Sequence, residues 1–277
     1  MGYLGIKNLA CFGCSFVEGA AITDKLDRWV GHRYSFPAVL CTELGLDEYK
    51  NYGGSGMGNE SILRRVYRHF KQDKDHSDTL VVIGLSGITR LEIYSNYQQR
   101  FYDNHLFDFQ QKDNEDEWAY KRRAKLWLGN EDLWKDFKKY IKIEQKHFFD
   151  TEVKQEKLHW QLIHLDGYFK SKGIRYVIFN SVEDNIDPIK KDLNYLSLVD
   201  VDKHKDVELS GINTLEDTWA HKLRLDHYYN VNKDFNLNEY KSPVPPYGRY
   251  FCNGHPSPNA NRELTKIILK YIDENNI

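Results

Sequence analysis

A serine near the start of the sequence and a histidine near its end have surroundings suited to covalent chemistry. Ser15 lies in the segment CFGCSFVEG (residues 11–19), directly after a short apolar stretch that predicts a strand. His255 lies in a predicted loop and is followed by Pro256 and the apolar stripe of a final helix. A serine hydroxyl becomes a good nucleophile once a base such as imidazole removes its proton. The pair therefore predicts acyl transfer, with Ser15 as the nucleophile and His255 as the base.

Two further loops carry groups that could stabilise the oxyanion of such a reaction. The loop GGSGMGN (residues 53–59) follows a predicted strand, and Ser86 follows the continuously apolar strand predicted at 79–85. A tetrahedral intermediate needs preorganised hydrogen-bond donors around its oxygen. The backbone amides of Ser15 and Gly56 and the hydroxyl of Ser86 are the predicted donors.

Arg90 lies four residues beyond Ser86 and could place a cation near the same site. The alternative is an ordinary ion pair with Glu92 or Glu18, and we favour that alternative. Arg90 is therefore considered a supporting residue only.

The elements that must position these groups alternate between strand and helix. Apolar or β-branched runs predict strands, and apolar stripes at helical spacing predict the helices between them. The predicted strands are 6–10, 49–52, 79–85 and 174–180, and the predicted helices are 29–44, 62–70, 153–172 and a last one from 258. This alternation is typical of a three-layer α/β/α fold, a flavodoxin-like doubly wound parallel sheet of about five strands. Parallel strands end at a common edge, so the four loops are expected to converge there.

The chain is expected to form a single domain over residues 1–277, with insertions at about 94–150 and 184–250. The first insertion mixes charged residues with aromatic ones and predicts a helical cap outside the sheet. Its aromatic side chains could stack on sugar rings or could form a small core within the cap. They are Trp118, Tyr120, Trp127, Trp134 and Tyr140.

Composition and charge exclude several classes of function. Lys and Arg number 39 against 41 Asp and Glu, so neither nucleic acid nor an anionic membrane is expected as the main partner. No apolar run approaches the roughly 20 residues that span a bilayer, and no secretory signal is recognised. Four cysteines do not make a disulfide framework in a chain of 277 residues. A cytoplasmic location is the default expectation, and the oligomeric state is left open.

Four blocks of this sequence together resemble the SGNH, or GDSL-type, hydrolases. GCS (residues 13–15) is similar to the family's Gly-Asp-Ser, whose serine is the nucleophile. NYGGSG (51–56) matches the second block, whose glycine amide lines the oxyanion hole. GLSG (84–87) stands where the family has Gly-x-Asn-Asp, and NGHP (253–256) is similar to the block that holds the catalytic histidine. The blocks occur in the family's order, and the insertions fall between them.

The resemblance implies a serine ester hydrolase that works through an acyl-serine intermediate, with no metal or other cofactor. Relatives of this kind cleave acetyl and longer acyl esters on sugars, polysaccharides and lipids. The charged, aromatic first insertion favours a carbohydrate over a lipid. The expected reaction is removal of an acetyl or another short acyl group from a glycan or a small-molecule ester. Acyl transfer to an acceptor other than water would use the same residues.

Three departures from the family pattern bear on activity. Cys14 replaces the aspartate of the first block, which in the family is mainly structural. Ser86 replaces an oxyanion-hole asparagine and has a shorter side chain, and the loss of one such donor is worth roughly 10²–10³ in rate. Asn253 stands at the position of the acid and can orient an imidazole, but replacing the acid of a serine triad by its amide can cost ~10⁴.

The group that orients His255 is therefore left open. It is Asn253, or Cys252 if the register is one residue longer, or an acid from elsewhere in the chain. Candidate acids are Asp184, Asp187 and Asp226. The alternative function is a catalytically weak or inactive SGNH scaffold that serves as a binding or structural module.

The cysteines offer a competing interpretation as a zinc site. Cys11-x-x-Cys14 with Cys252-x-x-His255 could supply three thiolates and an imidazole. Alternation along the first strand, however, places Cys11 and Cys14 on opposite faces of the sheet. We therefore expect no metal, and Cys11 and Cys41 are interpreted as small buried hydrophobic residues.

Overall fold

The computed structural model describes an alternating series of strands and helices. It covers residues 5–19, 35–71, 75–88, 90–97, 99–105, 117–181, 193, 195–196 and 258–277. In chain order the elements are β1 (Asn8–Gly13), α1 (Ser15–Glu18), α2 (Phe36–Glu43), β2 (Tyr49–Gly53), α3 (Asn59–Phe70), β3 (Thr79–Leu85), β4 (Arg90–Ser95), β5 (Arg100–His105), α4 (Glu117–Leu128), α5 (Trp134–Ile143), α6 (Thr151–Lys172), β6 (Arg175–Asn180), β7 (Tyr195–Leu196) and α7 (Pro258–Asn275). A 3-10 turn, Glu131–Leu133, precedes α5, and a π-helical turn, Glu144–Phe148, follows it.

Five of the described strands form one parallel sheet in the order β2-β1-β3-β6-β7. The chain moves from β1 to one side, returns past it to β3 and continues on the other side. This is the strand order of a flavodoxin-like sheet, in which ligands bind beyond the carboxyl ends of β1 and β3, where the strand order reverses. Ser15 lies two residues after the end of β1, and Ser86 directly follows β3.

Helices cover both faces of the sheet because alternate strand residues are apolar on both sides. One core packs Leu9 and Cys11 of β1 against α2 and α7. The other packs Ala10 and Phe12 against α3 and α6. Strand β3 is buried at all 7 of its residues and contributes to both cores. The predicted fold class, a three-layer α/β/α doubly wound sheet, is confirmed.

The helix ends follow the signals in the sequence. Helix α2 stops just before Gly45 and α6 just before Gly173, and these glycines have φ of 66° and 62°, which favour glycine at the end of a helix. Helix α7 begins at Pro258, as predicted. No helix in the described part of the chain is long and apolar enough to cross a membrane.

The segment after β3 differs from its prediction. We expected a helical insertion from about residue 94, but the segment begins with an antiparallel hairpin of β4 and β5, which lies outside the main sheet. The helical prediction is therefore wrong for the first part of the insertion and right from α4 onwards. The strand RLEIYS (90–95) alternates polar and apolar residues, a period of two that the surrounding charges obscure in the sequence.

The helical part of the insertion has a small core of its own. Its buried residues are Tyr120, Ala124, Phe137 and Ile141, against which Ile93 and Trp134 pack. Tyr120 is 2% exposed and is therefore a packing residue, whereas Tyr140 is 43% exposed. The side chains of Trp118 and Trp127 are not among those that the structure describes.

Three glycines lie side by side at the end of β2 and β1 and one residue before the end of β3, and we call them the glycine row (Gly53, Gly13 and Gly84). Helix α1 lies directly on this row. A Cβ on Gly13 would sit 2.1 Å from Cγ2 of Val17, and one on Gly53 would sit 2.3 Å from the backbone nitrogen of Glu18. A Cβ on Gly84 would lie 2.8 Å from the same Val17 methyl group. Any side chain in the row would therefore push α1 away from the sheet.

We predict that G13A destabilises the fold by about 1–3 kcal/mol, the usual cost of inserting an atom into a closely packed site. The matched control is G167A, in the middle of α6, where an added Cβ meets nothing within 4 Å. That variant should gain about 0.5–1 kcal/mol from helix propensity. Urea unfolding of both variants is the measurement, and equal midpoints would contradict the close approach of α1 to the glycine row.

A histidine of α3 lies among aromatic rings beside the sheet. Nδ1 of His69 is 3.0 Å from the hydroxyl of Tyr52, and its ring centroid lies 4.6 Å from that of Phe70. Burial, followed by the charges of His76 and Lys50, lowers the pKa of His69 from 6.5 to about 4. The folded protein therefore holds this ring neutral at pH values where the unfolded chain protonates it.

This shift predicts an acid-sensitive contribution to stability. The unfolded chain binds more protons than the folded one between the two pKa values, so the contribution is complete above about pH 6.5 and is lost as the pH falls towards 4. Because the ring is partly exposed and solvent screens its interactions, we expect a loss of about 1 kcal/mol between pH 7 and pH 5. The measurement is urea unfolding of wild type and H69Q at both pH values. Identical pH dependences of the two proteins would rule out His69 as the source.

Candidate active site

Ser15 occupies the first position of α1, two residues beyond the end of β1. The carbonyl of the preceding Cys14 accepts hydrogen bonds from the amides of Val17 and Glu18, both at 3.0 Å. Gly19 ends the helix with φ of 79°, and its N–H donates to the Ser15 carbonyl at 3.1 Å. This strand–turn–helix places Ser15 at the carboxyl edge of the sheet, where the residue is 4% exposed.

The side chain of Asn51 joins the loop that carries Gly56 to the Ser15 turn. Its Nδ2 donates to the carbonyl of Val17 at 3.0 Å, and its Oδ1 accepts from the N–H of Gly53 at 2.9 Å. One amide thus bonds the end of α1 and the end of β2 at once. This contact is a physical reason for an asparagine at the start of the NYGGSG block.

Two more hydrogen bonds attach the Gly56 loop to its neighbours. The N–H of Gly54 donates to the carbonyl of Gly13 at 3.1 Å, and the hydroxyl of Ser55 donates to Oε2 of Glu18 at 2.6 Å. Gly56 itself is exposed and has φ of 79°, a conformation that side chains disfavour. The glycine therefore suits the turn of this loop, whose neighbours Gly54 and Ser55 bond the end of β1 and α1.

Ser86 is held by a residue that the sequence analysis did not single out. Oδ1 of Asn59 accepts from the Ser86 N–H at 2.7 Å, and Nδ2 of Asn59 donates to the Ser86 carbonyl at 2.8 Å. Ser86 is fully buried, and its hydroxyl has no hydrogen-bond partner within the described part of the chain. The signal in the sequence was weak: Asn59 is the last letter of the glycine-rich loop, and asparagine there suggests helix capping. The actual N-cap is Gly58, which frees the Asn59 side chain for Ser86.

The predicted ion pair of Arg90 with Glu92 or Glu18 is wrong. Nη1 of Arg90 instead donates to the carbonyl of Met57 at 2.8 Å. Glu92 forms its ion pair with Arg64, because β4 lies beside α3 in the fold, and Glu18 accepts from a serine. Arg90 therefore attaches β4 to the Gly56 loop by a bond to its backbone.

The loop after β6 completes the contacts around the Ser15 turn. The N–H of Ser181 donates to the carbonyl of Leu85 at 2.9 Å, and its hydroxyl bonds the same oxygen. The Ser181 hydroxyl also lies 3.7 Å from Sγ of Cys14. Cys14 is buried among apolar residues, so this position has a packing role in the described structure.

Several predicted site residues lie outside the described part of the chain. They are His255, Asn253 and Cys252, together with the candidate acids Asp184, Asp187 and Asp226. The structure joins the loops that carry Ser15, Gly56 and Ser86 by hydrogen bonds, and the contribution of His255 stays a prediction.

The described cysteines bear on the zinc interpretation. Cys11 packs in the core against α2 and α7, whereas Cys14 packs in the core against α3 and α6. The prediction that they lie on opposite faces is confirmed, so the two thiols cannot share one ion. Burial raises the pKa of Cys11 well above its usual value, and burial followed by the charge of Asp47 raises that of Cys41. Within the described ranges no three His, Cys, Asp or Glu side chains form a potential metal cluster.

Comparison with known proteins gives a family but no activity. A model of a family of unknown function, DUF6071, matches residues 22–212, more than half of this chain. No curated protein matches the sequence.

Similar solved structures include three proteins. One, assigned to the lipolytic G-D-S-L family, from Desulfitobacterium hafniense DCB-2, has a TM-score of 0.41 at 12% identity, with 96% of this chain and 99% of that chain covered. A member of the lipolytic protein G-D-S-L family from Veillonella parvula DSM 2008 has a TM-score of 0.36 at 12% identity, with 95% and 97% covered. A GDSL-like lipase from Bacteroides thetaiotaomicron VPI-5482 has a TM-score of 0.39 at 10% identity, with 97% and 89% covered. TM-scores this low do not support an activity.

Proposed function

Because the chain belongs to the family of unknown function DUF6071, its activity must be inferred from its site, and we propose that it is a serine ester hydrolase of the SGNH type. The observation that carries this proposal is the gathering of the Ser15, Gly56 and Ser86 loops at the carboxyl edge of one parallel sheet. Direct hydrogen bonds join each loop to the next. The order of the four sequence blocks supports the same proposal.

The proposed reaction has two steps. In the first, the Ser15 oxygen bonds to the ester carbonyl carbon while its proton passes to His255, and the carbonyl oxygen becomes an oxyanion. The intermediate then breaks its bond to the alcohol oxygen, which takes the proton from His255. In the second step a water molecule attacks the acyl-serine with the same proton transfers and releases the acid. Asn253 is proposed to orient His255.

The Ser86 hydroxyl suits the role of an oxyanion donor. It is fully buried, and among the described residues it lacks a hydrogen-bond partner. A buried polar group left in this state costs about 1–3 kcal/mol. A hydrogen bond to an oxyanion would satisfy it, so its stabilising effect would appear during the reaction and not in the resting protein. The amides of Ser15 and Gly56 are the other proposed donors.

The proposed substrate is a short acyl ester, such as an acetyl ester, on a carbohydrate. The support for a carbohydrate comes from the charged and aromatic insertion, where Tyr140 is exposed and available for stacking. Tyr120 gives no such support, because it packs within the cap. Acyl transfer to an acceptor other than water would use the same site.

The second candidate function is an inactive or weakly active scaffold. The burial of both Ser15 and Ser86 favours it, because a substrate carbonyl must reach the Ser15 oxygen. The two candidates differ in whether Ser15 can be acylated.

We predict that S15A lowers hydrolysis of p-nitrophenyl acetate to background and abolishes covalent labelling by a fluorophosphonate, since both require the serine oxygen. The control is S171A, which removes an exposed hydroxyl at the end of α6 that bonds the Tyr168 carbonyl, and which should retain both signals. If wild type and S15A hydrolyse the ester equally, and neither is labelled, the scaffold hypothesis replaces the esterase.

We also predict that S86A lowers activity without lowering stability. Removing a buried hydroxyl that has no partner among the described residues should leave the free energy of unfolding unchanged or raise it by about 1 kcal/mol. The same variant should lower kcat by roughly 10²–10³ if the hydroxyl is an oxyanion donor. The measurements are urea unfolding and ester hydrolysis. A lower stability with unchanged kcat would exclude this role.

A further inference from the structure

The most specific contact at the site joins Asn59 to the backbone of Ser86. The carboxamide of Asn59 pairs with both the N–H and the carbonyl of that one residue, at 2.7 and 2.8 Å. Asn59 is itself buried at the first position of α3, and the two residues lie 27 positions apart in the chain. In an antiparallel β-sheet a residue exchanges the same two hydrogen bonds with the backbone of the opposite residue. Here the side chain of Asn59 makes both bonds.

The pairing determines where the Ser86 hydroxyl lies. A serine oxygen is one rotatable bond away from the backbone, so a held backbone limits that oxygen to three staggered positions. Asn59 holds the Ser86 backbone on both sides of its Cα, and Ser181 holds the neighbouring carbonyl of Leu85. The Ser86 Cβ is thus fixed relative to the first turn of α3.

The same residue connects two of the proposed donors. Asn59 begins α3 directly after the loop that carries Gly56, so the Ser86 backbone is attached to the end of that loop. Arg90 adds a second attachment through the Met57 carbonyl at 2.8 Å. A displacement of one donor loop would therefore carry the other with it.

From these contacts we infer that Asn59 is the positioning residue of the oxyanion hole, holding the Ser86 hydroxyl at a fixed distance from the Gly56 amide. This inference rests on the proposed esterase function. It also accounts for the use of a serine where related hydrolases have an asparagine: a short donor serves when its backbone is held in place.

The test is a double-mutant cycle between Asn59 and Ser86, with hydrolysis of p-nitrophenyl acetate as the assay. N59A removes both hydrogen bonds and should lower kcat by roughly 10²–10³, about as much as S86A, with KM changed less than about threefold. N59D keeps the size of the side chain and the acceptor for the Ser86 N–H, but it faces the Ser86 carbonyl with an oxygen. It should lose roughly 10–10² in kcat, and it serves if N59A does not fold.

The double variants N59A/S86A and N59D/S86A should be no slower than S86A alone by more than about threefold, because Asn59 acts through Ser86. The control Y168F removes a hydrogen bond from a side chain to a backbone carbonyl at the other end of α3, 3.1 Å long in the structure. It should lower stability without lowering kcat.

Three outcomes would overturn the inference. Fully additive losses in the cycle would show that Asn59 does not act through Ser86. An Asn59 variant that lowers only stability, as Y168F does, would make its role structural. If S15A is as active as wild type, the esterase proposal itself fails, a result distinguishable from the other two because it appears before any Asn59 variant is compared.

Discussion

Close contact between α1 and the sheet is the constraint on which the rest of the site depends. A side chain at any position of the glycine row would occupy the space next to α1. Here the glycine row leaves that space empty, and Val17 and Glu18 fill it with helix atoms. The hydrogen bond from Asn51 to the Val17 carbonyl requires this approach, since its length of 3.0 Å leaves no room for an intervening group. The position of Ser15 follows from these contacts.

Amide groups, more than ion pairs, connect the loops of the site. A carboxamide offers one acceptor and two donor hydrogens at fixed geometry, so Asn51 and Asn59 each bond a backbone donor and a backbone carbonyl. Exposed ion pairs contribute little to position because two long side chains must be ordered for an attraction that water and salt screen. The half-buried pair of Arg64 and Glu92 lies beside the site and attaches the hairpin to α3.

The sequence was sufficient to predict those elements whose signals lie within a few neighbouring residues. The apolar run of β3 and the glycine after α6 predict their elements, and a parallel sheet brings the loops after β1 and β3 to one edge. It was not sufficient for the pairing of Asn59 with Ser86, which exists only once α3 packs beside β3. The ion pair of Glu92 with Arg64 likewise depends on the hairpin of β4 and β5. The sequence does not reveal this hairpin, because its short strands mix polar and apolar residues as the flanking segments do. The His255 loop lies outside the described residues, so its place at the site stays a prediction.

The shortness of α1 has a consequence for the conformational entropy of Ser15, the proposed nucleophile. Four residues are far too few for a helix to persist on its own in water, where nucleation alone is unfavourable. Helix α1 forms because it packs on the glycine row of the sheet and because Asn51 donates a hydrogen bond to the Val17 carbonyl. The backbone around Ser15 is therefore attached to the central strands by packing and by the Asn51 hydrogen bond. In the proposed reaction, the backbone order that the attacking hydroxyl needs would therefore have been established already during folding.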